Sequence, residues 1–187
     1  IKLLSILNGD VLEDGEMHKA FFPLIDNESP SDFYGTIETV TVRISKAVDV
    51  LKSGGIIIFP TDTFYGLGCD LFNREGIEQI LSIKNENDTK LFSFICSDLK
   101  DISRYAKVSD YAYRTMKHLL PGPYTFILPA AKVIPKKLWS KRKTVGIRVP
   151  DHSVTLQIVK ELGNPIASTS ATTRLGEPLT DPFEIKN

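Results

Sequence analysis

Hydroxyl side chains are concentrated in two short segments of the chain. In the first, Thr61, Thr63 and Tyr65 follow an apolar run at 56–59. In the second, residues 168–172 read Ser-Thr-Ser-Ala-Thr. Hydroxyls and backbone N–H groups can bind phosphate or carboxylate oxygens without any group that titrates. The two segments therefore predict contacts to an anionic ligand, with an ordinary tight turn and a solvated Ser/Thr turn as the alternatives.

Glycines and further polar loops accompany these hydroxyls. Because Gly66 and Gly68 come directly after the first segment, we expect a loop over 61–68 in which a ligand can approach the backbone. Polar loops are also predicted at 84–90 and 121–125. In α/β sheets, ligands bind beyond the carboxyl ends of the strands, so we expect these loops to meet at one edge of the sheet.

Alternating helices and strands are predicted to position those loops. The four apolar residues at 56–59 are typical of a central strand buried on both faces, and Pro60 ends it because proline has no backbone N–H to donate. Helices are predicted from residue 40 to Gly54, from Asn73 to Lys84, after Ser97 or Asp98, after Ser109 or Asp110, and over 154–162; further strands are predicted at 1–7, 91–96, 124–128, 144–149 and 165–168. This alternation predicts one domain with an α/β layered fold.

Composition places the chain among globular proteins. Its 187 residues are 42% hydrophobic and 25% charged, and the formal net charge is zero, so no global field attracts nucleic acid or membrane. Basic residues dominate 132–148, around Trp139, where contact with RNA and a solvated basic loop are both open. Cys69 and Cys96 are expected to be two buried thiols. With no apolar run of membrane-spanning length, these features favour a cytoplasmic protein without membrane partners.

Other chemistry-bearing residues point to no protein nucleophile and no metal site. His18, His118 and His152 are far apart and lack metal-ligand spacing. Cys69 has no activating base nearby in the sequence. Asp62 is expected to stabilise the N–H groups of its own loop, with a role as a base or metal contact as the alternative.

A series of motifs occurs along the chain in a fixed order. They are residues 60–69 (PTDTFYGLGC), Lys84, residues 121–125 (PGPYT), residues 145–150 (VGIRVP) and residues 168–171 (STSA). Their order and approximate spacing resemble the threonylcarbamoyl-AMP synthase family, also described as YrdC/YciO-like. The resemblance covers about residues 40–185, and residues 92–99 and 143–150 resemble the YciO branch. We therefore interpret 1–38 as an N-terminal extension or lead-in and 39–187 as the YrdC-like domain.

The resemblance implies both a fold and a reaction. The fold is a single-domain twisted mixed sheet flanked by helices, with a large concave cavity. The reaction condenses L-threonine, bicarbonate and ATP with Mg²⁺ into threonylcarbamoyl-AMP and releases pyrophosphate, after which a partner transferase modifies adenosine in tRNA. Since the amine of threonine is itself the nucleophile, the protein contributes positioning and electrostatics rather than a catalytic side chain. Mg²⁺ would be held mainly by the phosphates.

Site residues follow from the same resemblance, position by position. It assigns Thr61 and Tyr65 to L-threonine. It assigns the ATP contacts to Lys84, Lys90, Thr125, Arg148, Ser168, Ser170 and Thr172.

Two departures from the family pattern support a second hypothesis. Where the family has Lys-x-Arg-Pro, residues 84–87 read Lys-Asn-Glu-Asn, so Glu86 places an acid where a cation is expected at phosphate. Where the family has Ser-x-Asn, residues 170–172 read Ser-Ala-Thr, and Thr172 lacks the amide. The alternative is a nucleotide- or RNA-binding YciO-like paralogue with weak or no synthase activity, whose ligand is tRNA or double-stranded RNA.

Overall fold

The structure, a computed structural model, describes residues 3–7, 10–13, 37–84, 92–138, 142–172 and 177. Several residues singled out in the sequence lie outside these ranges. They are His18, Glu86, Lys90, Trp139 and Lys141.

Five helices and eight strands make up the described part of the chain. The helices are α1 (Ile37–Lys52), α2 (Arg74–Ile83), α3 (Leu99–Tyr105), α4 (Asp110–Leu119) and α5 (Ser153–Leu162), with a 3-10 turn at Lys136–Leu138. The strands are β1 (Leu3–Leu7), β2 (Asp10–Glu13), β3 (Ile56–Phe59), β4 (Gly66–Asp70), β5 (Ser93–Ile95), β6 (Phe126–Pro129), β7 (Thr144–Arg148) and β8 (Ile166–Ser170).

The strands form one mixed sheet in the order β2-β1-β3-β4-β8-β5-β7-β6. The β1–β3 and β5–β7 pairs are parallel, and the other pairs are antiparallel. β3 was expected to be central, and it lies between β1 and β4 with all four of its residues buried. The predicted mixed sheet flanked by helices is therefore confirmed.

Helices cover both faces of the sheet, because residues two apart along a strand point to the same side. On one face, Ile57, Phe59, Ile95 and Ile166 pack against apolar residues of α1 and α5. The other face carries a larger cluster that includes Phe94 and receives residues of α2, α3 and α4. Residues of all six strands from β3 to β8 contribute to this second cluster, whereas the cluster under α1 and α5 draws only on β3, β5 and β8. The part of the first face that this smaller cluster leaves uncovered is where polar residues can line a cavity.

Local signals set most helix ends as predicted. Asn73, Asp98 and Ser109 are the N-cap residues of α2, α3 and α4, and each side chain accepts a hydrogen bond from a backbone N–H of the first turn. Gly163 ends α5 in the left-handed conformation. Capping depends on a few neighbouring residues, which is why the sequence alone predicted these ends.

Two predicted loops are instead strands. Gly66 and Gly68 lie in β4, which pairs antiparallel with β3, so the loop between them is a hairpin connection over 60–65. The hydroxyl-rich segment from Ser168 to Ser170 belongs to β8 rather than to a loop beyond it. β-pairing with distant strands overrides the local turn preference of glycine and serine here.

α1 ends in a Schellman motif at Gly54. Gly55 N donates to Val50 O at 2.8 Å, and Gly54 N donates to Leu51 O at 3.1 Å. Gly54 has a φ of 87°, a left-handed conformation that glycine adopts without strain. A Cβ at this position would also lie 3.0 Å from Asn73 Nδ2, and Asn73 is the cap of α2. Gly54 therefore sets both the exit from α1 and the fit of α2 beside it.

Gly54→Ala is expected to destabilise the protein more than Gly163→Ala does. Both glycines have positive φ, but a Cβ at Gly163 meets nothing within 4 Å. We expect a loss of about 1 kcal/mol for Gly163→Ala from backbone strain, and about 2 kcal/mol for Gly54→Ala, which also displaces the Asn73 cap. Urea unfolding of the two variants measures the difference. Equal losses would mean that Asn73 moves aside without cost.

Cysteines and bilayer-spanning segments complete the description. Cys69 and Cys96 are free and buried, as expected. Within the described ranges, no helix is both long and apolar enough to cross a lipid bilayer.

Candidate functional site

A row of register partners with small side chains crosses the uncovered part of the sheet. Gly68 of β4 lies opposite Ser168 of β8, which lies opposite Ser93 of β5. Ser93 in turn lies opposite Gly146 of β7, whose other partner is Ile127 of β6. Register partners point to the same face. The Phe59 ring and Ile166 cover Gly68, so Ser93 and Ser168 are the members of this row that form the open floor.

A cavity of about 290 Å³ lies on this floor. Most of the residues that line it carry a hydroxyl: Thr61, Thr63, Tyr65, Ser93, Thr125, Ser168, Thr169 and Ser170. Among the described lining residues, Arg148 is the only one with a charge. Phe64 also lines the cavity and is 43% exposed. A wall of hydroxyls with one guanidinium suits a ligand rich in anionic oxygens.

Arg148 enters the cavity from the carboxyl end of β7 and is held by the loop over 60–65. Its Nη2 donates to Asp62 Oδ1 at 2.5 Å and to Thr63 Oγ1 at 2.9 Å. The two side chains of the ion pair are only 15% and 12% exposed. Because solvent screens a largely buried pair weakly, this contact fixes the position of the guanidinium more firmly than a surface ion pair would.

The 60–65 loop is also tied internally and to α5. Thr61 Oγ1 accepts from Thr63 N at 3.1 Å and donates to Phe64 O at 2.6 Å. From α5, the fully buried Thr155 donates its hydroxyl to Pro60 O at 2.5 Å. The shape of the loop is therefore set before any ligand arrives. The backbone N–H of Thr63 donates to Thr61 and not to Asp62, which was the residue expected to stabilise the loop. Asp62 instead accepts from Arg148.

Lys84 and Thr172 bind each other beside the cavity. Lys84 ends α2, and its Nζ donates to Thr172 Oγ1 at 2.5 Å. Thr172 follows β8 two residues after Ser170, which lines the cavity. Neither Lys84 nor Thr172 is among the lining residues. The contact links the end of α2 to the end of β8.

The structure brings together six of the residues that the resemblance assigned to the site: Thr61, Tyr65, Thr125, Arg148, Ser168 and Ser170. Lys84 and Thr172 lie outside the lining, and Lys90 lies outside the described residues. Their assignments to ATP and L-threonine remain predictions.

The expectation that the polar loops meet at one sheet edge is confirmed for the 60–65 connection and the end of β8, and it is wrong for the 121–125 loop. Phe59 pairs with Gly66 and Gly66 with Ser170, so the first two are neighbours. The 121–125 loop precedes β6, whose Phe126 pairs with Ile147 near the carboxyl end of β7.

β7 runs parallel to β5, and β8 runs antiparallel to it. Arg148 and Ser170 each end their strand, so they lie toward opposite ends of the sheet. They reach one cavity because both point to the same face, and the site therefore lies across that face.

Ser93 is a polar lining residue that the sequence reasoning missed. It interrupts an apolar run, Leu91-Phe92-Ser93-Phe94-Ile95, and a single polar residue in such a run is a signal for an open position on one face. The Asp62–Arg148 pair was missed as well. Its partners are 86 residues apart, and no local pattern connects them.

Burial shifts the pKa values of the two thiols, which lie in the core on the other face of the sheet, and of one histidine. It raises the pKa of Cys69 and of Cys96 to about 12, so both are neutral thiols at physiological pH. Burial lowers the pKa of His152, although Asp62 and Asp151 oppose that shift. His152 is thus neutral at pH 7 and adds no positive charge beside Arg148. In the described part of the chain, no group of three or more His, Cys, Asp or Glu side chains is placed to hold a metal ion.

Comparison with known sequences gives one family. A family model for Sua5, YciO and YrdC, described as telomere recombination, matches residues 49–187. The chain is 40% identical to the uncharacterized protein YciO of Escherichia coli, over 77% of this chain and 71% of that protein. It is 33% identical to a threonylcarbamoyl-AMP synthase of Coxiella burnetii, over 78% of each chain.

Solved structures give the same grouping. The crystal structure of E. coli YciO matches with a TM-score of 0.71 over 76% of this chain and 70% of that one. Sua5 of P. abyssi, crystallised with L-threonine, matches with a TM-score of 0.66 and 27% identity. That match covers 70% of this chain and 39% of the larger Sua5 chain.

Proposed function

Because the chain belongs to the Sua5/YciO/YrdC family, we propose that it is an L-threonylcarbamoyladenylate synthase-like nucleotidyltransferase. It would condense L-threonine, bicarbonate and ATP and release pyrophosphate, for threonylcarbamoyladenosine modification of tRNA by a partner transferase. The observation that carries this proposal is the hydroxyl-lined cavity into which Arg148 projects. The synthase name of the C. burnetii relative and the L-threonine in P. abyssi Sua5 support it.

The chemistry of this reaction suits a cavity without a protein nucleophile. The amine of threonine attacks the carbon of bicarbonate, and the C–O bond to the hydroxyl breaks with loss of water to give the carbamate. A carbamate oxygen then attacks the α-phosphorus of ATP as pyrophosphate leaves. Each bond-forming atom comes from a substrate, so the protein must align three molecules and stabilise developing negative charge. Hydroxyl donors on rigid strands and a guanidinium held in place meet that requirement.

We assign roles by position in the cavity. Thr61 and Tyr65, on the loop, would hold L-threonine, and Arg148 would contact an anionic oxygen of ATP or of the mixed anhydride. Ser168 and Ser170 of β8, together with Thr125, would donate to phosphate or ribose oxygens. Lys84 and Thr172 would bind ATP from beside the cavity, which for Lys84 means exchanging its Thr172 partner for phosphate. Lys90 is assigned to ATP by the family resemblance alone.

Mg²⁺ would arrive with the triphosphate in this proposal. Phosphate oxygens and water satisfy the octahedral coordination of Mg²⁺, and one or two protein oxygens commonly complete it. Asp62 is the carboxylate beside the cavity wall, and Arg148 already engages one of its oxygens. The residues described here fit an ion that is held mainly by the nucleotide, whose charge it would partly neutralise.

A second function is favoured by the Lys84–Thr172 contact. Asparagine at position 172 would offer two N–H donors and a carbonyl acceptor, whereas threonine offers a single hydroxyl, and that hydroxyl already accepts from Lys84 Nζ. A nucleotide- or RNA-binding protein with weak synthase activity would tolerate this loss. Its ligand would be tRNA or double-stranded RNA, contacted by basic residues such as Lys132, Lys136 and Arg142.

The deciding experiment incubates the purified protein with ATP, Mg²⁺, bicarbonate and L-threonine. Mass spectrometry then measures threonylcarbamoyl-AMP, and a coupled assay measures pyrophosphate. We expect threonine-dependent product that Lys84→Ala reduces about tenfold or more, because an ammonium near phosphate is lost. Lys100→Ala, on the exposed side of α3, is the matched control and should retain full activity. ATP binding without any product would favour the second function.

A further inference from the structure

Asp62 and Thr63 together accept both hydrogen bonds that one guanidinium nitrogen of Arg148 can donate. Arg148 Nη2 carries two N–H bonds, and Asp62 and Thr63 accept one each. Both acceptors belong to the 60–65 loop, which also carries Thr61 and Tyr65. One edge of the cation is therefore committed to the loop that forms a wall of the cavity.

The other polar side-chain atoms of the Asp62–Arg148 pair have no hydrogen-bond partner among the described residues. Asp62 Oδ2 and Arg148 Nε are buried and make no hydrogen bond to another described residue. Arg148 Nη1 likewise has no acceptor in the described part of the chain. A stabilising Arg–carboxylate pair is usually a two-bonded fork, which engages two nitrogens and both oxygens. This single contact instead leaves donors of a cavity-lining guanidinium available.

We propose that Asp62 is a positioning residue for Arg148. By holding Nη2, it fixes the plane of the guanidinium so that Nη1 donates to an anionic oxygen of the ligand. The same contact couples ligand binding to the loop over 60–65, since that loop and the cation move together. The part of this inference that concerns turnover rests on the proposed synthase function, whereas the part that concerns anion binding does not.

Charge and positioning make opposite predictions for Asp62. The carboxylate offsets the charge of Arg148, so removing it should strengthen the attraction of the cavity for any anion. If Asp62 only tuned the charge of the cavity, a protein without this carboxylate would bind ATP more tightly, and its turnover would be unchanged or higher. If Asp62 positions the guanidinium, its removal should lower turnover even though anions bind more tightly.

The test compares Asp62→Ala, which removes both the charge and the acceptor of Arg148 Nη2, with the wild-type protein by two measurements. Calorimetry with inorganic pyrophosphate gives the Kd, and steady-state assays with ATP, L-threonine and bicarbonate give kcat and KM. We expect the Kd to fall about threefold to tenfold from the unmasked charge. We expect kcat to fall about tenfold or more while the KM for ATP does not rise. Asp62→Glu, which restores the charge, should return the Kd to the wild-type value and recover part of kcat.

Two control variants separate charge from geometry. Thr63→Val removes the other acceptor of Nη2 without changing charge, so we expect a smaller fall in kcat and no tightening of pyrophosphate binding. Glu78→Gln removes the same formal charge from the exposed Arg74–Glu78 pair on α2, on the other face of the sheet. It should change neither the Kd nor kcat.

Each outcome decides the inference. Unchanged kcat in a folded Asp62→Ala protein overturns the positioning role, and an unchanged Kd for pyrophosphate overturns the contact between Arg148 and the anion. If the wild-type protein has no turnover, the synthase proposal fails separately. Hydrogen exchange of the amides at 61–65 then decides: pyrophosphate should slow exchange in the wild type and not in Asp62→Ala. If Asp62→Ala does not fold, Thr63→Val carries the same comparison.

Discussion

Arg148→Ala is expected to lower kcat/KM for ATP about a hundredfold or more, the largest effect on activity that the site predicts. Arg148 is the one charged group among the described lining residues, so no other described side chain replaces it. Losing a preorganised donor at developing negative charge typically costs about 3–4 kcal/mol. Steady-state kinetics with ATP as the varied substrate measure the effect, and calorimetry with pyrophosphate measures the loss of binding.

Two variants show whether the effect comes from the guanidinium itself. Arg148→Lys keeps the charge but loses the planar fork, so we expect an intermediate loss of about tenfold. Arg114→Ala removes an exposed arginine on α4 and should leave activity unchanged. Arg148→Ala also leaves Asp62 largely buried without its cation, which costs stability. Combining it with Asp62→Asn should recover stability but not activity, and recovery of both would contradict a direct role for Arg148.

Phe59→Ala is expected to cause the largest loss of stability, about 3–5 kcal/mol. Phe59 is fully buried between the sheet and helices α1 and α5. Its ring also lies against β4, where a Cβ at Gly66 would come within 2.6 Å of it and a Cβ at Gly68 within 2.9 Å. For a domain of this size the loss corresponds to a fall in Tm of roughly 6–20 °C. Thermal unfolding followed by circular dichroism measures it.

Phe72→Ala is the matched control for that measurement. Phe72 is 42% exposed, and its ring centroid lies 6.5 Å from that of Tyr105. We expect a loss of about 1 kcal/mol or less, because little of its surface leaves water on folding. Similar Tm values for the two variants would mean that the packing of α1 and α5 on Phe59 contributes little to stability.

The helices and the central strand could be predicted from the sequence because their determinants are local. Asn73 and Ser109 cap helices through hydrogen bonds that span only three residues. The apolar run of β3 is buried on both faces, so its pattern does not depend on which strands lie beside it. Gly163 marks a helix end for a similar reason, since the left-handed conformation it adopts is set by its own backbone.

The site could be predicted only as a set of residues and not as an arrangement. Thr61, Arg148 and Ser168 were singled out through the family resemblance, but strand order and register decide that they share a face. Strand β2 was missed, and β4 was predicted to be loop, because pairing partners far along the chain determine both. Ser93 reaches the cavity only because β5 lies between β8 and β7.

The position of β8 determines when a binding cavity can exist during folding. β8 is the last strand along the described part of the chain, and it lies between β4 and β5 in the middle of the sheet. Before it is inserted, the other strands can form only two separate groups, β2-β1-β3-β4 and β5-β7-β6, each with an open edge facing the gap. A protein emerging from the ribosome exposes those edges until β8 follows, and such unpaired edges favour aggregation and chaperone binding. Because Ser168 and Ser170 are carried by β8, ligand-binding competence appears only with this final, long-range step, which should make folding slow for a domain of its size.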